Sequence, residues 1–344
     1  MYKKIVVIGM SVIIVVIAAT LLFTYVFHVD SPAVRAVGKV LHLPAIIVDG
    51  RWIALSELEE NTASIKRFYE NQDFSQFGIR IDFETEDGKK RLQLQERKMI
   101  NKLIEDIAIE QIADEWNIRV SEDAIVAAMD RPMAEMGTRD AVESRLKNLY
   151  GWSLNDFGQK VVRGQLLREK VTTQFEEKNQ VSQEMRERME IVKAELSDDR
   201  TFSDVAQKYS EGSTASAGGI MGWFSDGQLQ DEIGKQIFAM EKGAHTDVIE
   251  TPLGLHIVQI NDISEMDGKK MVHVSQIVMK KKTLADFLNE RIGNMKVKVF
   301  QSQYKWDAGK ALIVFTDESM DEFEKMMFEE AKETQKELLN KLKQ

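Results

Sequence analysis

The sequence predicts an α+β chain: an N-terminal transmembrane helix, a mainly helical domain, a small antiparallel-sheet domain and a C-terminal helix. Three observations carry this prediction. An uncharged apolar run occupies Ile5 to Phe27, apolar residues recur at helical spacing up to about residue 180, and from Val181 short strand patterns and a glycine cluster interrupt the helices. The expected divisions are a cytoplasmic stub with a membrane anchor (1–29), a spacer (30–44), the helical domain (45–180), the sheet domain (181–282) and a segment of helix, strands and helix (283–344).

Composition excludes several functions. A chain of 344 residues, 43% of them apolar, buries at least one full core. Its formal charge of -10 is spread over mixed-sign segments, with no basic stripe interleaved with aromatics, so nucleic acid is not an expected partner. There is no cysteine, which removes disulfides, thiol nucleophiles and thiolate metal sites. The five histidines are scattered without ligand spacing, so neither a metal nor a cofactor is expected.

The first element is the apolar run, long enough to cross a hydrocarbon core of about 30 Å. A cleaved signal has an apolar region of about 7–15 residues and a small-residue exit site. This run is longer and ends Phe-Thr-Tyr-Val-Phe, which favours a retained anchor. Lys3 and Lys4 hold the N-terminus in the cytoplasm, so the chain from Val29 onward is expected outside it, at the cell membrane.

After Pro32 and Pro44, AIIVDGRWIALSELEE predicts a strand, an Asp49-Gly50 turn, a second strand and a helix start. Ile100, Leu103, Ile104, Ile107 and Ile112 then lie at helical spacing, and Trp116 extends that face. Ser121 opens another helix, and Ser153 a further one through a Ser153-x-x-Asp156 capping box. No catalytic cluster occurs in this region. Its apolar faces pack on one another, or else leave a groove for unfolded chains.

From Val181 a charged helix is followed by a short one opened by Thr201-x-x-Asp204. GGIMGWFSDGQ, Gly218 to Gln228, comes next, then the helical LQDEIGKQIFAM, a Lys242-Gly243 turn and the strand patterns DVIE and LHIVQI. Clustered glycines either let the backbone approach a bound guest or permit a sharp helix-to-strand entry.

Phe202 to Ile260 resembles the body of a parvulin-type (PpiC, rotamase) peptidyl-prolyl isomerase, through its GG-x-x-G-x-F element and the later Gly-Leu-His-Ile. Ala45 to Val171 resembles, through softer motifs, the helical chaperone domain of bacterial envelope foldases. The resemblance implies action on X-Pro bonds of unfolded, exported polypeptides. Such a bond crosses a barrier of about 18–20 kcal/mol, and an apolar pocket with hydrogen bonds suited to the twisted amide lowers it without moving a proton. Position by position, the resemblance implies that Met221, Phe224, Leu229 and Ile233 line the proline pocket, that Gln230 faces the substrate carbonyl, and that His256 is the strand histidine of the central network.

The departures are specific. Leu229 and Ile233 stand where the family usually has methionine and phenylalanine, and Gly212 where it has cysteine or aspartate. These changes keep open an alternative, a non-catalytic holdase using the fold as a peptide-binding module. Parvulins also open with a strand bearing a second histidine, yet VSQEMRERMEIVKAEL has neither strand pattern nor histidine. Met271 to Met279, following Asp267-Gly268, predicts a strand carrying His273. Two arrangements follow: a circular permutation in which this strand fills the vacant place and brings His273 near His256, or a truncated second repeat continuing through a Thr283-x-x-Asp286 capped helix. Near the C-terminus two strands are expected around Asp307-Ala308-Gly309, and then a helix with Met320, Phe323, Met327 and Ala331 on the face that docks.

Overall fold

Asp49 and Gly50 both take positive φ, 47° and 82°. This two-residue turn matches the twist of a hairpin, and it joins β1 (Pro44–Val48) to β2 (Arg51–Ala54) in antiparallel register. The computed structural model describes residues 32–72, 82–197, 200–266 and 268–342, with Ala19 and Thr24. Apart from these two residues, the expected membrane anchor lies outside the described residues. Among the described residues, no helix is long and apolar enough to cross a membrane. The chain divides into two compact units, residues 1–171 with 287–344, and residues 172–286.

In the first unit, α1 (Pro32–Val40) leads into the hairpin, and α2 (Leu55–Asn71), α3 (Glu86–Glu115), α4 (Glu122–Met136) and α5 (Arg139–Tyr150) follow. Thr85, Ser121 and Thr138 open α3, α4 and α5, each side chain accepting a backbone N–H from three residues on. Ser153 and Asp156 form the predicted capping box at α6 (Leu154–Phe157). That helix runs through a π turn at Gly158–Val162 into α7 (Arg163–Lys178). The long α3 buries Ile100, Ile104, Ile109 and Ile112, whereas Leu103 and Ile107 sit at the margin of the stripe.

The second unit holds α8 (Gln183–Ser197), α9 (Phe202–Tyr209), β3 (Ile220–Ser225), α10 (Asp231–Ile237), β4 (Ile249–Thr251), β5 (Gly254–Met266) and β6 (Lys269–Lys280). Its four strands form one antiparallel sheet in the order β3-β6-β5-β4. The strand expected at Met271–Met279 therefore belongs to the same sheet as Gly-Leu-His-Ile, and pairs with it from Leu255↔Met279 to Met266↔Lys269. Leu255, Ile257, Ile277 and Met279 face the α8 and α9 side chains Met189, Val192, Phe202 and Val205. Val258, Ile260, Val272 and Val274 form the other face, under Ile233 and Ile237 of α10.

The glycine cluster serves this packing. Gln276 N donates to Gly219 O at 2.9 Å. A Cβ on Gly219, whose φ is 81°, would lie 2.4 Å from Gln276 O. What comes close to this glycine is the protein's own strand β6.

The chain then returns to the first unit. Thr283 and Asp286 cap α11 (Leu284–Gly293), and three strands follow where the sequence suggested two: β7 (Val297–Val299), β8 (Tyr304–Asp307) and β9 (Leu312–Phe315). The additional strand, β7, extends the first hairpin through Ile46↔Val299 and Val48↔Val297. Asn101 of α3 clamps β9, with Nδ2 donating to Ile313 O at 3.2 Å and Oδ1 accepting from Ile313 N at 2.7 Å. In α12 (Glu318–Leu342), Met320 and Phe323 are buried. Residues 287–344 thus complete the helical unit and do not stand as a separate region.

Candidate active site

Alternation along β5 puts His256 on the same face as Val258 and Ile260, the face that α10 covers. Four of the expected pocket residues gather there. Ile233 is buried in that cluster, and Met221, Phe224 and Leu229 pack against it half-buried. A register shift between Ile220 and Gly222 turns Met221 towards this side of β3. Gln230 is the N-cap of α10, where its backbone carbonyl accepts from Ile233 N and Gly234 N. Its side-chain Oε1 is buried and has no hydrogen-bond partner among the described residues.

His256 is only 3% exposed. Its Nε2 lies 2.9 Å from Thr251 Oγ1 and its Nδ1 3.4 Å from Gln276 Oε1. Leu253 N donates to Thr251 Oγ1 at 3.1 Å, and the Gln276 amide oxygen can only accept, so Nε2 accepts the threonine O–H. Nδ1 then carries the ring proton and donates to the amide oxygen of Gln276. Burial pulls the pKa of His256 below the usual histidine value, and the Gln276 bond opposes this only in part. The imidazole is therefore neutral and held in one tautomer at pH 7, able to orient a neighbour but not to donate a proton as an acid.

His273 does not join it. The register Asp262↔His273↔Trp223 puts this ring on the opposite face of the sheet. There its Nδ1 accepts from Asn261 Nδ2 at 3.2 Å and its centroid lies 5.2 Å from that of Trp223. The cause is a β-bulge between Ile260 and Asp262. Counted back from the turn without that extra residue, His256 would oppose Met279 and share a face with His273. With it, His256 opposes Val278 and faces the same way as Gln276. Gln276 occupies the place beside His256 for which a second histidine was expected.

Gly212 lies next to these residues. Its N–H and that of Val278 both donate to Ser210 Oγ, at 3.3 and 3.1 Å. A Cβ on Gly212 would stand 3.0 Å from Val278 Cγ1 and 3.9 Å from Gln276 Nε2. The two departures from the expected pattern, a bare position 212 and a glutamine at 276, are thus spatial neighbours. Sequence reasoning missed Gln276, Thr251 and Ser210. The Thr251-Pro-Leu-Gly-Leu-His256 turn signalled the threonine, but only the bulge reveals the glutamine.

Residues 169–262 match the rotamase family, described as the PPIC-type PPIase domain. This part of the chain is a PPIC-type peptidyl-prolyl isomerase domain. The chain is 39% identical over 64 residues to the peptidyl-prolyl cis-trans isomerase Pin1 of Digitalis lanata, covering 19% of this chain and 54% of that one. It is 37% identical over 71 residues to the foldase protein PrsA of Bacillus subtilis, covering 20% of this chain and 24% of the relative. A longer alignment, 24% identical over 219 residues, relates 54% of this chain to 67% of the foldase protein PrsA of Staphylococcus epidermidis. The chain thus spans about half of the first of these relatives and about a quarter of the second.

Proposed function

We propose that this protein is a membrane-anchored, extracytoplasmic foldase whose PPIC-type domain isomerises X-Pro bonds in unfolded, exported polypeptides. The observation that carries this is the gathering of Met221, Phe224, Leu229 and Ile233 on the sheet face that also bears His256. A proline ring fits an apolar pocket, and the bond before it then lies where polar groups favour the twisted amide over the planar one. Gln230, with its free Oε1, is placed to accept an N–H from the bound peptide. Placement of β6 between β3 and β5 supports a circularly permuted domain, since Thr283 and the helix after it lead back to the helical unit and open no second repeat. The long alignment to a foldase supports a chaperone role for the helical unit. Lys3, Lys4 and the apolar run Ile5 to Phe27 support the anchor and the placement at the cell membrane.

The second reading is a holdase that binds proline segments without isomerising them, favoured by the bare Gly212. A proline-peptide exchange assay on the full chain in detergent separates the two. Cis–trans exchange accelerated in proportion to protein concentration is the expected result. Peptide binding and suppressed client aggregation without acceleration would establish the holdase.

A further inference from the structure

Gln276 is half-buried on the His256 face, and its two side-chain ends have different surroundings. Oε1 is engaged by His256 Nδ1. Nε2 has no hydrogen-bond partner among the described residues, and it points to the space left by Gly212. Its backbone is fixed on both sides, paired with Val258 in β5 and donating N–H to Gly219 O. One step along β6, the Val274–Ser275 stretch lies opposite Met221 of the apolar pocket. An oriented amide donor therefore stands at the border between the apolar cluster and the histidine network.

Geometry and chemistry give this donor a use. A planar X-Pro amide has no basic lone pair on nitrogen, because conjugation delocalises it. As the bond twists, conjugation is lost, the lone pair localises, and the prolyl nitrogen becomes a hydrogen-bond acceptor. A fixed N–H aimed at that atom is stronger in the transition state than in the ground state, which is the condition for accelerating rotation. No covalent bond forms or breaks, and no proton changes owner.

We propose that Gln276 is a catalytic residue of this site: Oε1 is held by His256, and the amide N–H groups are presented over Gly212 to the prolyl nitrogen of the rotating bond. In this arrangement His256 is a positioning residue that fixes the orientation of the glutamine. Gly212 leaves the approach open, since a side chain there would come within reach of Nε2. The inference rests on the isomerase reading above, and deepens it.

The test uses the full chain and compares Gln276→Glu with Gln276→Leu. Glutamate keeps an acceptor for His256 Nδ1 and removes the donor; leucine removes both. Each variant should lower kcat for a proline peptide about 10-fold or more, with KM near that of the wild type, because the missing bond is made only in the transition state. The 15N resonances of His256 report its tautomer and show whether the Glu variant keeps the Nδ1–H arrangement. Full activity in Gln276→Glu with loss in Gln276→Leu would reduce Gln276 to a support for the histidine, and overturn the proposal. Unchanged kcat in both variants would do the same while leaving the isomerase reading intact. A wild type that binds the peptide without accelerating exchange would remove the isomerase reading and the donor with it.

Discussion

At the scale of single residues, pocket and network are separable. Met221 and Leu229 are half-buried and touch the cluster around Ile233. Met221→Ala or Leu229→Ala should therefore weaken proline-peptide binding and slow exchange together, each by about 1–3 kcal/mol of lost apolar contact. Titration calorimetry beside the exchange assay measures both, and an unchanged affinity would place the peptide elsewhere. His256 offers a different handle. Its folded pKa is depressed by burial, so between that value and the ordinary histidine value near 6.5 the unfolded chain binds the extra proton. Stability from this residue is therefore complete above about pH 6.5 and is lost as pH falls through the folded pKa. Urea midpoints at pH 7.5 and 5.0 should differ more in the wild type than in His256→Gln. Equal pH dependence of the two proteins would show that His256 carries no such linkage.

At the scale of elements, much was legible in the sequence. Side chains at Ser121, Ser153, Thr201 and Thr283 cap helices where they stand, because their hydrogen bonds are local and each depends on only a few residues. The Asp49-Gly50 hairpin was legible for the same reason. The facing of His256 and His273 was not: it depends on one extra residue near Asn261, which no alternation pattern announces. β7 was hidden in a different way, since three residues gain strand character only by pairing with β1. The glycine cluster had two meanings from sequence, and at Gly219 the answer is the approach of β6. Gly219→Ala should cost about 2–3 kcal/mol, from left-handed backbone strain and the clash with Gln276 O. A thermal melt measures this directly, and because Gln276 would be displaced, exchange activity should fall even where the variant remains folded.

At the scale of the whole molecule, the prediction concerns sidedness. With Lys3 and Lys4 inside and the apolar run retained, protease added to intact spheroplasts should digest the chain beyond Val29, and undigested protein should sediment with membranes. A soluble form beginning near residue 20 would show instead that the leader is cleaved.

The pairing of β1 with β7 has a further consequence for how such a chain is made. Ile46 meets Val299 only after the intervening sheet domain and α11 have been synthesised. At about 5–20 residues per second, the edge of β1 waits on the order of tens of seconds for its partner. The sheet domain is contiguous in sequence, and its central β5–β6 pair joins residues as near in the chain as Met266 and Lys269, so it can fold before the unit whose two segments flank it in sequence. During biogenesis the order is thus inverted: the domain encoded in the middle matures first, and the unit holding the N-terminal half is the last to close. Released chains truncated near residue 290 should already protect the sheet domain from proteolysis while leaving the first hairpin cleavable.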